Sequence, residues 1–439
     1  MNKTNYVFVH IVNSKRNNII FRMFSVLINA YACSPGMGSE PGMAWNWCVN
    51  LARYCELYII TEGEFKDKIE AAVASLPQRA NMHFYYNPVS EEIRKMCWNQ
   101  GDWRFYKYYR EWQWSTYLMA KDIIRKHKID IVHQLNMIGF REPGYLWRIE
   151  NVPFVWGPVD AKEKFPTEYL KDAGLKARFF FMIKNIITML QLKYSKRVRQ
   201  AAKRASVIVS ASSNTQETFR KYFDLDSPLI NETGCYVKKN KCRDEKNNSD
   251  VFNILWVGKM DFRKQLGLAL KTIAVAENSN IRLHIVGGGN SDRYKEMAHF
   301  LGISDLCIWH GEVGYDEVQT LMLNSDLFFF TSVAEGTPHV VLEAIGNSLP
   351  VICFNTCGQG DSVDSSIGRK IELSNPDKSA TEFADIISVL YNDRSILKEM
   401  SENCIKRQEE LSWENKASQM VELYKRIIHG SEKGKKYSN

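Results

Sequence analysis

Strand-like and helix-like runs alternate along almost the whole chain, and no other feature limits its fold as strongly. Short apolar runs rich in β-branched or aromatic residues, bounded by turn formers, stand at 24–30, 57–61, 82–86, 130–134, 153–156 and 206–210. A second series stands at 252–257, 281–286, 306–309, 326–331 and 350–354. Helical patterns fill the spaces between them, and that order predicts parallel sheets with helices on both faces. The charged stretch 238–250 is the natural linker between the two series. A chain of 439 residues exceeds one ordinary core. The expected fold class is therefore α/β, with two Rossmann-like, doubly wound domains at 1–235 and 251–411 facing a central cleft. Ligands of such sheets bind at the carboxyl ends of strands. The remaining segment, 412–439, has apolar residues at 413, 417, 420, 424 and 427. These describe an amphipathic helix with Ser412 as N-cap, followed after His429 by a charged, disordered tail.

Composition removes several classes. No run of eighteen apolar residues occurs, so no spanning helix is expected. Residues 1–22 lack a signal-peptide core and cleavage site, and the first strand directly follows Met23, the expected physiological start. Ten cysteines are scattered without a Cys-x-x-Cys pair, as in reduced cytosolic proteins. Residues 1–230 hold 33 Lys and Arg against 21 Asp and Glu, whereas the remainder holds 25 against 29. A basic first half points to an anionic partner.

Two carboxylates stand out. The run 326–331 reads as a buried strand, Gly336 and Pro338 break it, and 340–347 opens a helix with Pro338 near the first turn. Glu335 thus closes a strand, and Glu343 sits inside the helix, up to about 12 Å further on. Free backbone N–H groups at the helix N-terminus lie between them and form an anion site. A ligand with hydroxyls at both ends and phosphate in the middle suits this layout, and a nucleotide sugar is built that way.

Other loops fall at strand ends. Gly258 opens one that also carries Arg263 and Lys264, a guanidinium fork and a point charge suited to a diphosphate. Gly287-Gly288-Gly289 ends the strand before it. Gly36-Met37-Gly38-Ser39 precedes a helix, but it is neither Gly-x-Gly-x-x-Gly nor a P-loop. His133 ends the strand 130–134 and is expected to point to the cleft, with Arg141 and Asp160 in loops on the same side. Asp224-Leu225-Asp226 has metal-pair spacing, but no buried strand precedes it, and no metal is expected.

The stretch from Glu335 to Glu343, continued by Ala344-Ile345-Gly346-Asn347-Ser348-Leu349-Pro350-Val351, resembles the Glu-x7-Glu motif of retaining GT-B glycosyltransferases, specifically glycosyltransferase family 4 (glycosyl transferases group 1). The resemblance implies that Glu335 holds the donor sugar's hydroxyls and Glu343 the ribose. It implies that Arg263 and Lys264 stabilise the leaving diphosphate, and that His133 lies near the reacting centre. Gly38, Gly258, Gly287, Gly289, Thr337, Pro338, His339 and Val340 would line the donor site, with Val313 where backbone meets the base. Arg141 and Asp160 are assigned to the acceptor. The chain departs from the family at Lys259 (usually arginine), Gln265 (usually glycine) and Leu135 (the second place of a His-x-His pair). By the same resemblance the tail helix crosses back onto the N-terminal domain, and neither cofactor nor metal is required. The expected reaction is hexosyl transfer from a nucleotide-diphosphate sugar to a lipid-linked bacterial surface glycan, by front-face displacement. A nucleotide-sugar epimerase of the same architecture and a non-catalytic membrane scaffold are the alternatives.

Two segments mix aromatic and basic residues. Residues 98–114 contain four tryptophans, and 171–204 set Phe179, Phe180 and Ile186 among ten Lys and Arg. Solvated helix faces would have this composition, as would an interfacial patch on anionic lipid, which is the reading adopted. The donor constellation speaks against a nucleic-acid partner. The expected location is cytoplasmic, peripheral at the inner face of the plasma membrane.

Overall fold

The structure, a computed structural model, describes residues 23–99, 102–161, 164–238 and 250–436. The expected extension 1–22 and nearly all of the expected linker (239–249) lie outside the described residues.

Twelve strands form two sheets. The first contains β1 (Ser25–Ala30), β2 (Glu56–Thr61), β3 (Met82–Tyr86), β4 (Ile131–Asn136), β5 (Phe154–Val159) and β6 (Val207–Ser210), in the order β3-β2-β1-β4-β5-β6. The second contains β7 (Phe252–Val257), β8 (Ile281–Val286), β9 (Cys307–Gly311), β10 (Leu327–Phe330), β11 (Val351–Phe354) and β12 (Gly368–Ile371), in the order β12-β11-β10-β7-β8-β9. Every named pairing is parallel; Val26 faces Leu57 on one side of β1 and Ile131 on the other. Parallel strands need crossover helices on both faces, so central strands are covered on both sides. All six residues of β1 and all four of β10 are buried. In each sheet the order reverses beside the first strand, between β1 and β4 and between β7 and β10, where a doubly wound sheet opens its binding crevice.

β12 is absent from the sequence-based expectation. Its residues Gly-Arg-Lys-Ile include two charges, and it pairs only with β11, so an edge position removes the apolar signal.

Two segments tie the domains together. Ser412 caps the helix Trp413–Lys436 by accepting the Asn415 N–H at 3.1 Å. Trp413, Ala417, Met420 and Tyr424 are then buried in the first domain's core. This helix runs to Lys436, past His429, where the sequence suggested disorder. In the other direction, Phe165, Tyr169 and Leu170 leave the first domain and bury themselves in the second domain's core. There the Tyr169 hydroxyl shares a 2.8 Å hydrogen bond with the Ser379 hydroxyl. Among the described residues the nine cysteines are free thiols, and no helix is long and apolar enough to cross a membrane.

Candidate active site

After β10 the chain turns through Thr331–Pro338 and enters the helix His339–Gly346, with Pro338 as its N-cap. Glu335 lies in the turn and Glu343 in the helix. Lys264 reaches Glu335 from the loop after β7, with Nζ 2.6 Å from Oε1, and both side chains are only 19 % exposed. Ser332 Oγ donates to the same carboxylate oxygen at 2.6 Å. The pair lies in a cavity of about 420 Å³ between the domains. Gly258, Thr337, Pro338, His339 and Val340 line it from the second domain, and Glu40, Ile138 and Glu232 from the first.

Glu343 lines a smaller adjoining space of about 30 Å³ that shares His339 as a wall. Burial pushes its carboxyl above the usual range, against the opposing influence of Lys238 and Gln319. Gln319 Nε2 donates to Glu343 at 3.4 Å, while Lys238 Nζ donates to Gln319 Oε1 at 2.6 Å and Asn347 Oδ1 at 2.9 Å. Burial likewise holds the His339 imidazole below its ordinary pKa.

The basic pair divides. Arg263 turns away from Lys264 and donates from Nη2 to Asp261 Oδ2 at 2.7 Å. It lines a second cavity of about 470 Å³, together with the acceptor candidates Arg141 and Asp160. Consecutive residues of one turn face opposite sides, so one basic dipeptide serves two cavities. Gln265, where the resemblance led one to expect glycine, adopts the left-handed conformation with φ +53°. That backbone disfavours a side chain, but here Gln265 Nε2 donates to the carbonyls of Tyr169 (2.9 Å) and Phe262. Gln265 thereby fastens the loop after β7 to the Tyr169 segment.

His133 requires a correction. β4 continues to Asn136, which leaves His133 inside the strand, fully buried and away from the cavity walls. Its Nε2 donates to the Gly157 carbonyl, so Nδ1 accepts from the Tyr424 hydroxyl at 2.5 Å. Burial pushes its pKa down to about 4. His133 is a neutral structural anchor for the crossover helix, not a residue of the cleft.

Gly38, Gly287, Gly289 and Val313 also stand outside the cavity lining. Gly38 is the exposed N-cap of the helix Ser39–Leu51. Gly287, at φ +143°, lies against the loop after β7, and a Cβ there would sit 1.9 Å from the Gly258 carbonyl oxygen. Gly287 and Gly289 let the loop after β8 lie directly on Gly258 and Met260 after β7.

Two carboxylates were not anticipated. Glu232 is buried and accepts from both the Thr337 N–H and the Thr337 hydroxyl, the latter at 2.6 Å. It therefore occupies one of the amides expected to be free for an anion, leaving those of His339 and Val340 at the first helical turn. Burial raises its pKa, against the Thr337 bonds. Lys416 of the crossover helix approaches the same region, its Nζ donating to Asn231 Oδ1 at 3.2 Å. Glu40 Oε1 accepts the Ile138 N–H at 3.1 Å, and its Oε2 is buried without a hydrogen-bond partner. Glu40 had a signal, since it directly follows the glycine loop singled out above, in the first turn of the helix Ser39–Leu51. Glu232 stands in a short polar run between strands, with no periodicity to mark it.

Gly336 is fixed by Glu232, because a Cβ there would lie 2.4 Å from Glu232 Oε1. We expect Gly336→Ala to destabilise the fold by about 1–3 kcal/mol through this overpacking and to weaken ligand binding in the cavity. Denaturant unfolding checks it; an unchanged midpoint would mean that Glu232 retreats freely.

Residues 237–410 match the family model described as glycosyl transferases group 1. Protein CapJ of Staphylococcus aureus is 27% identical over 333 residues, covering 72% of this chain and 78% of CapJ. Among solved structures, the lipopolysaccharide outer core galactosyltransferase WaaB aligns with a TM-score of 0.61 at 15% identity, covering 93% of this chain and 100% of WaaB. HepE of Anabaena, in complex with UDP, aligns with a TM-score of 0.57 at 14% identity, covering 91% and 99%. The second domain carries the sequence match to glycosyl transferases group 1, and both domains together have the two-domain GT-B architecture of the solved glycosyltransferases.

Proposed function

We propose that this glycosyltransferase is a retaining enzyme that moves a hexosyl group from a nucleotide-diphosphate sugar to a lipid-linked surface polysaccharide. The observation that carries the reading is the Lys264–Glu335 ion pair, 2.6 Å long and largely shielded from water, in the interdomain cavity next to Glu343. An arriving diphosphate replaces Glu335 as the partner of Lys264. Glu335 is then released to accept hydrogen bonds from the sugar, and Glu343, oriented by Gln319, takes the ribose hydroxyls. The amides of His339 and Val340 add donors toward the phosphate.

The acceptor enters from the cavity of Arg141 and Asp160. Its oxygen bonds to the anomeric carbon on the face from which the diphosphate departs. The carbon–oxygen bond to the diphosphate breaks with its electron pair, and the acceptor's proton passes to the leaving diphosphate. Lys264 and the helix-terminal amides offset the charge that develops there, and domain closure excludes water. The donor is a substrate, and the reading needs neither cofactor nor metal. HepE, which was solved with UDP and with UDP-glucose, and WaaB, described as a lipopolysaccharide outer core galactosyltransferase, support these ligand classes. Exposed Trp103, Phe179 and Phe180, among bases, support peripheral contact with an anionic membrane.

The test is calorimetry with UDP-, GDP-, ADP- and CMP-linked sugars. One donor is expected to bind, and to bind at least tenfold more weakly, by about 1.4 kcal/mol or more, to Glu343→Ala and to Lys264→Ala. A folded protein that binds none of them would overturn the donor site.

A further inference from the structure

The helix Gly174–Tyr194 is anomalous. It is rich in apolar side chains, yet among its described residues only Thr188 and Leu192 are buried. Phe179 is 67 % exposed, Phe180 59 % and Ile186 54 %. An apolar surface of this kind on a polar protein marks a contact with something else. Beside it runs a groove of about 760 Å³, walled by Phe179, Phe180, Ile183 and Ile187 on one side.

The groove has a charged end. Arg141, Lys184 and Thr188 line both this groove and the 470 Å³ cavity that contains Asp160 and Arg263. Arg141 spends its described hydrogen bonds on neutral groups, Nε to Gln191 Oε1 and Nη2 to Thr188 Oγ1, both at 2.7 Å. Lys184 makes no ion pair among the described residues; its ammonium lies 5.2 Å from the Phe181 ring centre. Its pKa is held down, by burial first and then by Arg141 and Arg263, although the residue as a whole is exposed. Arg141 and Lys184, with Arg263 held by Asp261 beside them, thus bring three cations together where an apolar groove meets the proposed acceptor cavity, whose carboxylates are Asp160 and Asp261. Such crowding is relieved by an anion, and guanidinium forks favour phosphate oxygens.

We propose that this groove and junction bind the lipid phosphate portion of the acceptor itself, its phosphate between Arg141, Lys184 and Arg263 and its hydrocarbon chain along Phe180, Ile183 and Ile187. The inference rests on the reading of the interdomain cavity as the donor site. The groove's continuity with the acceptor cavity selects a substrate over a membrane phospholipid. A lipid anchored by its phosphate at the junction presents whatever sugar it carries to the Asp160 cavity, one step from Lys264 and Glu335. The enzyme would then select its acceptor at the lipid phosphate as well as at the sugar.

The probe is farnesyl diphosphate, titrated by tryptophan fluorescence alongside inorganic pyrophosphate, farnesol and the nucleotide sugar found in the donor panel. Farnesyl diphosphate is expected to bind at least tenfold tighter than either fragment. Lys184→Ala should weaken it at least tenfold and leave nucleotide-sugar affinity unchanged. The double variant Ile183→Ser with Ile187→Ser should weaken farnesyl diphosphate but not pyrophosphate. Affinity for farnesyl diphosphate no greater than for pyrophosphate or farnesol, or insensitive to Lys184→Ala, overturns the inference. So does a Lys184→Ala variant that loses binding to phosphatidylglycerol vesicles while wild type ignores farnesyl diphosphate, since the junction would then be reading membrane headgroups. Failure of farnesyl diphosphate with nucleotide-sugar binding intact removes only this site. Loss of nucleotide-sugar binding by wild type removes the donor reading instead.

Discussion

Lys264→Ala is expected to lower kcat for sugar transfer by roughly 10²–10³-fold, the loss typical of removing one preorganised charge-stabilising group. Lys264 holds Glu335 in the resting cavity, and a bound diphosphate would take over the same ammonium. That exchange makes its contribution larger in the transition state than in the ground state, because charge grows on the leaving diphosphate as the sugar departs. The fold should survive. The Lys264 ion pair is 19 % exposed on each side, Glu335 keeps its bond from Ser332, and the cores on both faces of the sheet are untouched. A thermal midpoint within a few degrees of wild type is therefore expected. Arg263→Ala is the informative comparison. Arg263 faces Asp261 and the Arg141 cavity, so its loss should raise KM for the acceptor far more than it lowers kcat. Steady-state kinetics with varied acceptor separates the two; equal kcat losses in both variants would mean that the dipeptide acts as one phosphate clamp after all.

That division of labour was not legible in the sequence, although much else was. Strands such as β7 and β8 were readable to the residue because their β-branched, aromatic and leucine residues form short runs bounded by turn formers. The carboxylates Glu335 and Glu343 were readable because a strand, a glycine–proline break and an apolar helix fix their spacing along the chain. What remained hidden depends on contacts between distant segments. His133 looked like a strand-end residue because nothing local indicates that β4 runs on to Asn136, or that Tyr424, 291 residues away, covers it. The Phe165–Leu170 exchange has no periodic signature. Glu232 is paired to Thr337 across 105 residues, and such a contact leaves no trace in the residues around either partner.

Glu40→Gln is expected to stabilise the protein at pH 8 and to do nothing at pH 4.5. Glu40 is pushed up to about 7, by burial first and then by the charges of Glu232 and Asp160, against the bond from the Ile138 amide. In the unfolded chain the same carboxyl titrates near 4.5. Its favourable contribution is therefore complete below about 4.5, where both states hold the proton. It is lost progressively as pH rises to about 7, where the folded protein must ionise a group the unfolded chain solvates freely. The shift corresponds to about 3 kcal/mol at most, and to about 1–3 kcal/mol after allowing for the cavity's access to solvent. Glutamine has the same shape, keeps an oxygen for the Ile138 N–H and carries no charge at any pH. The Tm gain of the variant should thus grow from nil at pH 4.5 to several degrees at pH 8, and a gain independent of pH would show that Glu40 does not titrate in this window. The same carboxylate stands in the wall of the cavity offered to a diphosphate. Nucleotide-sugar affinity in wild type should accordingly fall as pH rises through about 7, and the fall should flatten in Glu40→Gln. Binding and stability would then share one titration, because both respond to the appearance of a third negative charge beside Glu232 and Asp160.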